Sequence, residues 1–586
     1  MGMKKQEKSI QYYFGEFDEK KRIVWKNIQT QYEECNTEAH CYLPPHKVVP
    51  VIFLPGIMGS NLKNKKSDRS IWRIRSNELF MFWDALGWAF TGGKRRKKLL
   101  HPNEVVTDFN QKVGNDDNES NYFPYSREQR GWGSALAFSY FKPLEKLQAE
   151  LLFWEQYYNK AKTKGRFVDS EEEDYFRKKS ILGKILGEPL SSHDTNPLSI
   201  DETINYRSLL LPLHVFGYNW LQDNAESAKQ LAVYINEVLN MYNLEENGGI
   251  GNGLAFEKGH EKVILVTHSM GGLVARYASE LLKIPYRDKI LGVVHGVMPD
   301  LGSPTAYKMM KIGEHSFPMS MVLGASATRL MSVLAQSPAP MQLLPSPKYN
   351  EGKPWLRIEK GSPDGVTDLF LPRTNPDKPE ESDPFNDIYL QEKVWWRMYE
   401  SDILDKDERK IKANFIEYKN LMEWEVKTFM QEMDNQYHSN TYQFYGAYFD
   451  ENLPKDKRRS DETVTWKLQG KTSWLWVSDD SRDTNEYGDK REYTLIKSNN
   501  NWNRTKNGKE EGGAGDGTVP TLSINLNAQA RFKEILPTNV EHQDAYRFDP
   551  WKGDSKYKYK GAISLAIQFT LRSLCRILQT DEVKPK

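Results

Sequence analysis

The sequence predicts an α/β fold: a mostly parallel central sheet with helices on both faces, interrupted by large inserted cap or lid regions. Three observations predict it. Short apolar, largely β-branched runs such as Val263 to Val266 have the composition of strands buried on both faces. Between such runs lie helices with one apolar face; from Asn224 onward, Ala228, Leu231, Ala232, Ile235, Val238, Leu239 and Tyr242 fall at helical spacing. The two kinds of segment alternate along the chain, the pattern of a parallel sheet joined by crossover helices.

The organising stretch is Lys262 to Gly272, K-V-I-L-V-T-H-S-M-G-G. A buried strand runs into an abrupt turn at Thr267-His268-Ser269-Met270-Gly271, and a helix starts at Gly272. That is the context in which a serine becomes an exposed nucleophile on a strained elbow. Thr267 stands where the motif most often has glycine.

Composition narrows the classes. With 81 basic against 80 acidic residues, the 586-residue chain carries no global field that would draw nucleic acid. Sixteen Trp, 30 Tyr and 25 Phe suit a large core and an apolar binding surface. Cys35, Cys41 and Cys575 form neither a disulfide framework nor a metal motif, although Cys35 and Cys41 could pair in an oxidising compartment. The amino terminus lacks an apolar signal region, and no run approaches the ~18 apolar residues of a spanning helix. A protein made soluble, exported if at all without a cleaved signal, is expected.

In chain order, residues 1–47 read as a peripheral arm and 48–110 as the first part of the core. Val48 to Leu54 is a strand ending in Pro55-Gly56-Ile57-Met58-Gly59-Ser60, a turn able to aim the Ile57 N–H at a developing oxyanion. Leu79 to Phe90 is either a buried helix or part of a lipid-facing lid. The adjacent Lys94 to Lys98 run is either a solvated loop or a patch for anionic headgroups. Residues 111–204 read as an insertion, and 205–308 as the second part of the core, with strands at Leu209 to Phe216 and Lys289 to His295 and a helix capped by Asn224. Residues 309–438 form a cap or lid insertion. It starts with six methionines between Met309 and Met341, a composition that suits either helical core or an acyl-binding surface. Residues 439–586 complete the core, with a strand at Thr441 to Phe449, a hairpin pairing Val464 to Val477 with Arg491 to Lys497, and a closing helix at Ala562 to Leu578. The Asp479 to Asp489 segment puts Tyr487 where an EF-hand needs a ligand oxygen, so no calcium motif is read there. No metal or organic cofactor is expected.

Gly515-Asp516-Gly517-Thr518-Val519 supplies a carboxylate in a glycine turn, able to hold an imidazole in one tautomer. In an α/β-hydrolase fold the order is nucleophile, acid, histidine, and His542 is the one histidine after Asp516. Ser269, Asp516 and His542 are therefore the candidate triad, with the Ile57 and Met270 N–H groups as oxyanion donors. His268 is read as structural, its side chain projecting away from Ser269; His295 and His315 are set aside by order alone.

These residues resemble a known group. Leu54 to Ser60, Gly217-Tyr218-Asn219-Trp220, His268 to Gly272, Gly515 to Val519 and His542 come in the order seen in lecithin:cholesterol acyltransferase-like and PGAP1-like lipases, α/β-hydrolases acting on lipid esters. Asn219 departs from the acid common in their Y-D-W string, which implies that a contact made there is absent here. His295 to Tyr307, Leu334 to Pro338 and Leu343 to Pro345 resemble bacterial type VI secretion phospholipase effectors with a PGAP1-like core. That resemblance implies a phospholipid substrate at a membrane surface, injection into a competitor's periplasm, a cognate immunity protein and a secretion-spike carrier protein. The expected activity is phospholipase A1-type ester hydrolysis. The alternatives are an acyltransferase using the same acyl-enzyme, or a non-catalytic binding protein on a hydrolase fold.

Overall fold

The computed structural model describes residues 9–18, 23–28, 37–43, 45, 47–73, 92–113, 125–164, 169–190, 196–242, 262–312, 327–358, 369–394, 396–401, 405, 407–447, 513–525, 528, 531–538, 540–547 and 564–579, with short strand pieces at 459–460, 464–466, 468–469 and 473–474. Its centre is a six-stranded parallel sheet: β1 (Val51–Leu54), β2 (Leu213–Val215), β3 (Val263–His268), β4 (Ile290–Gly296), β5 (Thr441–Gly446) and β6 (Glu534–Thr538), in the spatial order β2-β1-β3-β4-β5-β6. Every side chain of β1 to β4 is buried, the reason these strands read as unbroken apolar runs rather than alternating ones.

Among the described residues, four helices cover the two faces: α1 (Ala137–Leu151), α2 (Asn224–Tyr242), α3 (Gly271–Glu280) and α4 (Leu565–Ile577). One core cluster holds Leu54, Leu265, Val293, Leu231 and Val274; the other holds Phe53, Val266, Val294, Leu144 and Phe569. Neighbouring residues of a strand thus feed opposite faces. In α2 all seven residues predicted at helical spacing are buried. Its cap lies one position earlier than expected: the Asp223 carboxylate accepts from the Ala225 N–H at 3.0 Å, while Asn224 Nδ2 donates to Gln342 at 2.8 Å.

The order reverses between β1 and β3, since the chain passes from β1 outward to β2 and returns to the other side of β1. Such a switch point, at the carboxyl ends of the strands, is where open α/β sheets place their ligands. Leu54 is level with Thr267, and His268 with Gly296, so the turns after β1, β3 and β4 emerge side by side.

Several local expectations change. Residues 137–151, read within an insertion, pack as α1 directly on the sheet, with Leu144 and Leu147 in the core. Residues 93–99 form a helix rather than a loop: Arg96 is buried, and burial lowers its pKa to about 10. Met310, Met331 and Met341 are fully buried core; Met319, Met321 and His315 lie outside the described residues. The predicted first hairpin arm, Val464 to Val477, is not one strand: Val464–Trp466 pairs in parallel with Leu356–Ile358, and Leu468–Gln469 pairs with Ser473–Trp474. The other arm, Arg491 to Lys497, is outside the described residues, as are Leu79 to Phe90, Cys35 and Asp479 to Asp489. The strand before His542, which composition puts at Arg531 to Leu536, is Glu534–Thr538, because Pro537 and Thr538 pair with Tyr445 and Gly446. Within the arm, Phe14 and Phe17 are buried, and the Phe14 ring meets Tyr158 edge-on at 4.7 Å.

Candidate active site

The turn after β3 holds Ser269 at φ 53°, the left-handed region that costs a residue bearing a Cβ. The neighbours permit it. A Cβ on Gly271 would stand 2.7 Å from the Leu54 carbonyl oxygen, and one on Gly56 would stand 2.9 Å from Ser269 Cβ, so both positions require glycine. Thr267 is accommodated where glycine was expected, its hydroxyl 2.9 Å from His295 Nδ1. Met58 and Val297, in the turns after β1 and β4, also have positive φ at 62° and 47°. Strain is gathered at one edge of the sheet.

That edge brings the three predicted side chains together. Ser269 Oγ donates to His542 Nε2 at 2.8 Å, and His542 Nδ1 donates to Asp516 Oδ2 at 2.8 Å. All three are buried. Asp516 is fixed by its own turn, Oδ1 accepting from the Thr518 and Val519 N–H groups at 2.9 and 2.6 Å, with Gly517 at φ 92°. The acid and the base are tied again by the main chain, the His542 N–H donating to the Asp516 carbonyl at 2.9 Å.

The Ile57 and Met270 N–H groups flank the same edge, and among the described residues neither finds an acceptor in the protein. The loop carrying Ile57 is held from four directions. The Gly56 N–H donates to Tyr140 Oη at 3.0 Å, and the Tyr218 hydroxyl to the Pro55 carbonyl at 2.8 Å. Trp72 Nε1 donates to the Met58 carbonyl at 3.1 Å, and the Tyr218 N–H to Ser60 Oγ at 3.1 Å. Asn219 keeps full employment without a charge, donating to the Pro102 and Val105 carbonyls at 2.8 and 3.0 Å and accepting from the Leu221 N–H.

His268 departs from expectation. Its ring does not leave the site; it packs 5.3 Å from the His542 ring, with Nε2 2.8 Å from the His542 carbonyl and Nδ1 2.7 Å from Tyr140 Oη. Burial, then the neighbouring His542, lowers its pKa to about 3, so it is neutral at pH 7 and cannot compete as the base. His295 is likewise held near 3 by burial and by Arg276.

Other contributors were not among the site residues that the sequence predicts, although Ser303 and Thr305 stand within the His295 to Tyr307 motif. The Ser303 and Thr305 hydroxyls both donate to the Thr518 carbonyl, at 2.7 and 2.8 Å, clamping the acid turn. The Tyr546 hydroxyl donates to the Thr267 carbonyl at 2.9 Å, joining the base loop to β3. A cavity of about 390 Å³ lined by Leu273, Arg276, Asp300, Phe429 and Tyr437 touches none of the triad. Among the described residues no cluster of three or more His, Cys, Asp or Glu is arranged to hold a metal, and no helix is long and apolar enough to cross a membrane.

Comparison with known proteins bears on the fold. The PGAP1-like alpha/beta domain matches residues 218–319, a span that starts just after β2 and runs through the elbow to the residues after β4. Among solved structures, the chain is similar to one in the crystal structure of the Tle4-Tli4 complex. The two share 25% sequence identity and a TM-score of 0.65, covering 91% of this chain and 99% of that one. No curated protein matches it in sequence. The fold is that of an α/β-hydrolase, and the matches support a lipase-type hydrolase.

Proposed function

We propose that the chain is a serine-dependent phospholipase, releasing fatty acid from membrane phospholipids by phospholipase A1-type hydrolysis. The observation that carries it is the unbroken contact series Ser269, His542, Asp516 on an elbow at the sheet's switch point. In this reading His542 takes the Ser269 proton as Oγ attacks the ester carbonyl, and the Ile57 and Met270 N–H groups receive the oxyanion. His542⁺ then protonates the leaving lysolipid alcohol while Asp516 stabilises the imidazolium. Water, deprotonated by His542, releases the fatty acid from Ser269.

The motif resemblance and the likeness to the Tle4-Tli4 chain favour an antibacterial effector delivered by a type VI system, with an immunity protein in the producing cell and a spike protein as carrier. Mass spectrometry of products from defined phospholipids tests the chemistry. Wild type is expected to yield sn-2 lysophospholipid and fatty acid, and Ser269→Ala neither, with an unchanged circular dichroism spectrum. A folded Ser269→Ala variant working near the wild-type rate overturns the assignment. Supplying an acceptor alcohol lipid distinguishes acyl transfer, which would accumulate acylated acceptor in place of fatty acid.

A further inference from the structure

The oxyanion turn and the base loop are far apart in sequence, yet a single file of hydrogen bonds joins them through the interior. The Gly56 N–H lies 3.0 Å from Tyr140 Oη, Tyr140 Oη 2.7 Å from His268 Nδ1, and His268 Nε2 2.8 Å from the His542 carbonyl oxygen. Both ends have fixed polarity, because an amide N–H can only donate and a carbonyl can only accept. One arrangement therefore satisfies every member: Gly56 N–H to Tyr140, Tyr140 O–H to His268 Nδ1, and His268 Nε2–H to His542. Tyr140 and His268 are both buried, boxed in by Phe53 and Tyr546, with Phe53 5.4 Å from Tyr140 and Tyr546 6.0 Å from His268. No water is needed to complete the file.

We propose that Tyr140 and His268 are positioning residues for the hydrolytic reaction, a buried one-way hydrogen-bond chain that locks the oxyanion turn and the main chain of the base into one frame. The proposal rests on the reading of Ser269 as nucleophile. Ile57, the proposed oxyanion donor, follows Gly56 directly, so a shift of that turn moves the donor relative to the acyl carbon. At the other end, His268 fixes the backbone from which the His542 imidazole projects. Burial supports the scheme: it keeps the His268 ring neutral, leaving Nδ1 free to accept, and pushes the Tyr140 phenol far up so that it keeps its proton. Neither side chain touches the reacting atoms. Their effect should fall on kcat with KM unmoved, since a displacement on the order of 1 Å can cost about 10²-fold in rate.

The test uses the full chain, a soluble p-nitrophenyl ester for kinetics, and a fluorophosphonate probe for Ser269. Tyr140→Phe removes the hydroxyl and keeps the ring; kcat is expected to drop roughly 10- to 100-fold at constant KM. His268→Gln offers both an N–H for the His542 carbonyl and, in its amide oxygen, an acceptor for the Tyr140 hydroxyl; it can keep the chain unbroken and is expected to stay within about fivefold of wild type, on the scale of one neutral hydrogen bond. His268→Asn reaches only toward Tyr140 and should fall as far as Tyr140→Phe. The Tyr140→Phe/His268→Asn double variant should be no slower than the worse single, because either change breaks the same chain. A role limited to filling space predicts the opposite: Gln and Asn equally impaired, and costs that add. Should Tyr140→Phe fail to fold, the Gln-against-Asn order at His268 decides the matter. Wild type that neither reacts with the probe nor turns over ester removes the hydrolase reading and this proposal with it. Wild type that labels, with Tyr140→Phe or His268→Asn within twofold of its kcat, overturns this proposal alone.

Discussion

At Asp516 both carboxylate oxygens are committed, Oδ1 to two backbone N–H groups of its own turn and Oδ2 to His542 Nδ1. Asp516→Asn keeps the size, but its amide N–H cannot accept the Nδ1 proton and so favours the wrong tautomer of His542. We expect kcat on a soluble ester to fall by roughly 10³- to 10⁴-fold with KM little changed; a loss below tenfold would show that Asp516 does not orient the base. The three candidate triad positions were legible from the chain alone because each is marked by local chemistry: an elbow, a glycine turn, and a lone downstream histidine. Tyr140 was not. It lies 128 residues from His268 on an ordinary amphipathic helix, and nothing local distinguishes it from the core tyrosines around it.

Among elements, α3 is the helix that follows the elbow, and its middle is anchored by a buried ion pair. Arg276 Nη1 donates to Asp300 Oδ1 at 2.5 Å, and the two side chains are 2% and 0% exposed. The same guanidinium donates to the Gln436 and Met433 carbonyls at 2.8 and 2.6 Å. Asp300 also accepts from the Tyr437 hydroxyl at 2.7 Å and from the Asn525 N–H at 3.2 Å. One pair thus joins α3, the turn after β4, the approach to β5 and the segment after the acid. Removing one partner strands the other charge in the interior. Asp300→Ala should cost about 3–5 kcal/mol in urea unfolding, while the Arg276→Met/Asp300→Leu pair should lose much less. Equal losses for the two variants would contradict this account. The predicted strands and helices at this level were legible through periodicity. The strand before His542 was placed early because register against β5, rather than composition, sets its ends.

For the molecule as a whole, α1 is bound to its surroundings through Glu150, which gives stability a pH dependence of known sign. Burial raises its carboxyl pKa from 4.5 to about 7, against the opposing pull of the Ile181 N–H 3.0 Å away. A folded-state pKa above the unfolded one means that this contribution is complete below about 4.5 and is lost as pH rises through about 7. Glu150→Gln is neutral throughout. Its unfolding free energy relative to wild type should therefore increase between pH 5 and pH 8.5, by up to about 3 kcal/mol. A pH-independent difference would place the ionised carboxylate in the native state.

The sequence by itself determined the parallel α/β sheet and singled out Ser269, Asp516 and His542, the three side chains that meet at its edge. These are properties of short segments: strand composition, turn chemistry and the scarcity of a residue type. Only the tertiary structure decided that α1 belongs to the core, that His268 packs on His542, and that Ser303, Thr305 and Tyr140 hold the turns at Asp516 and Gly56. The hydrogen bonds among them join groups 84 to 274 residues apart, brought to 2.7–3.0 Å by sheet and helix packing. A hydrogen bond of that kind leaves no period and no motif in the chain that makes it.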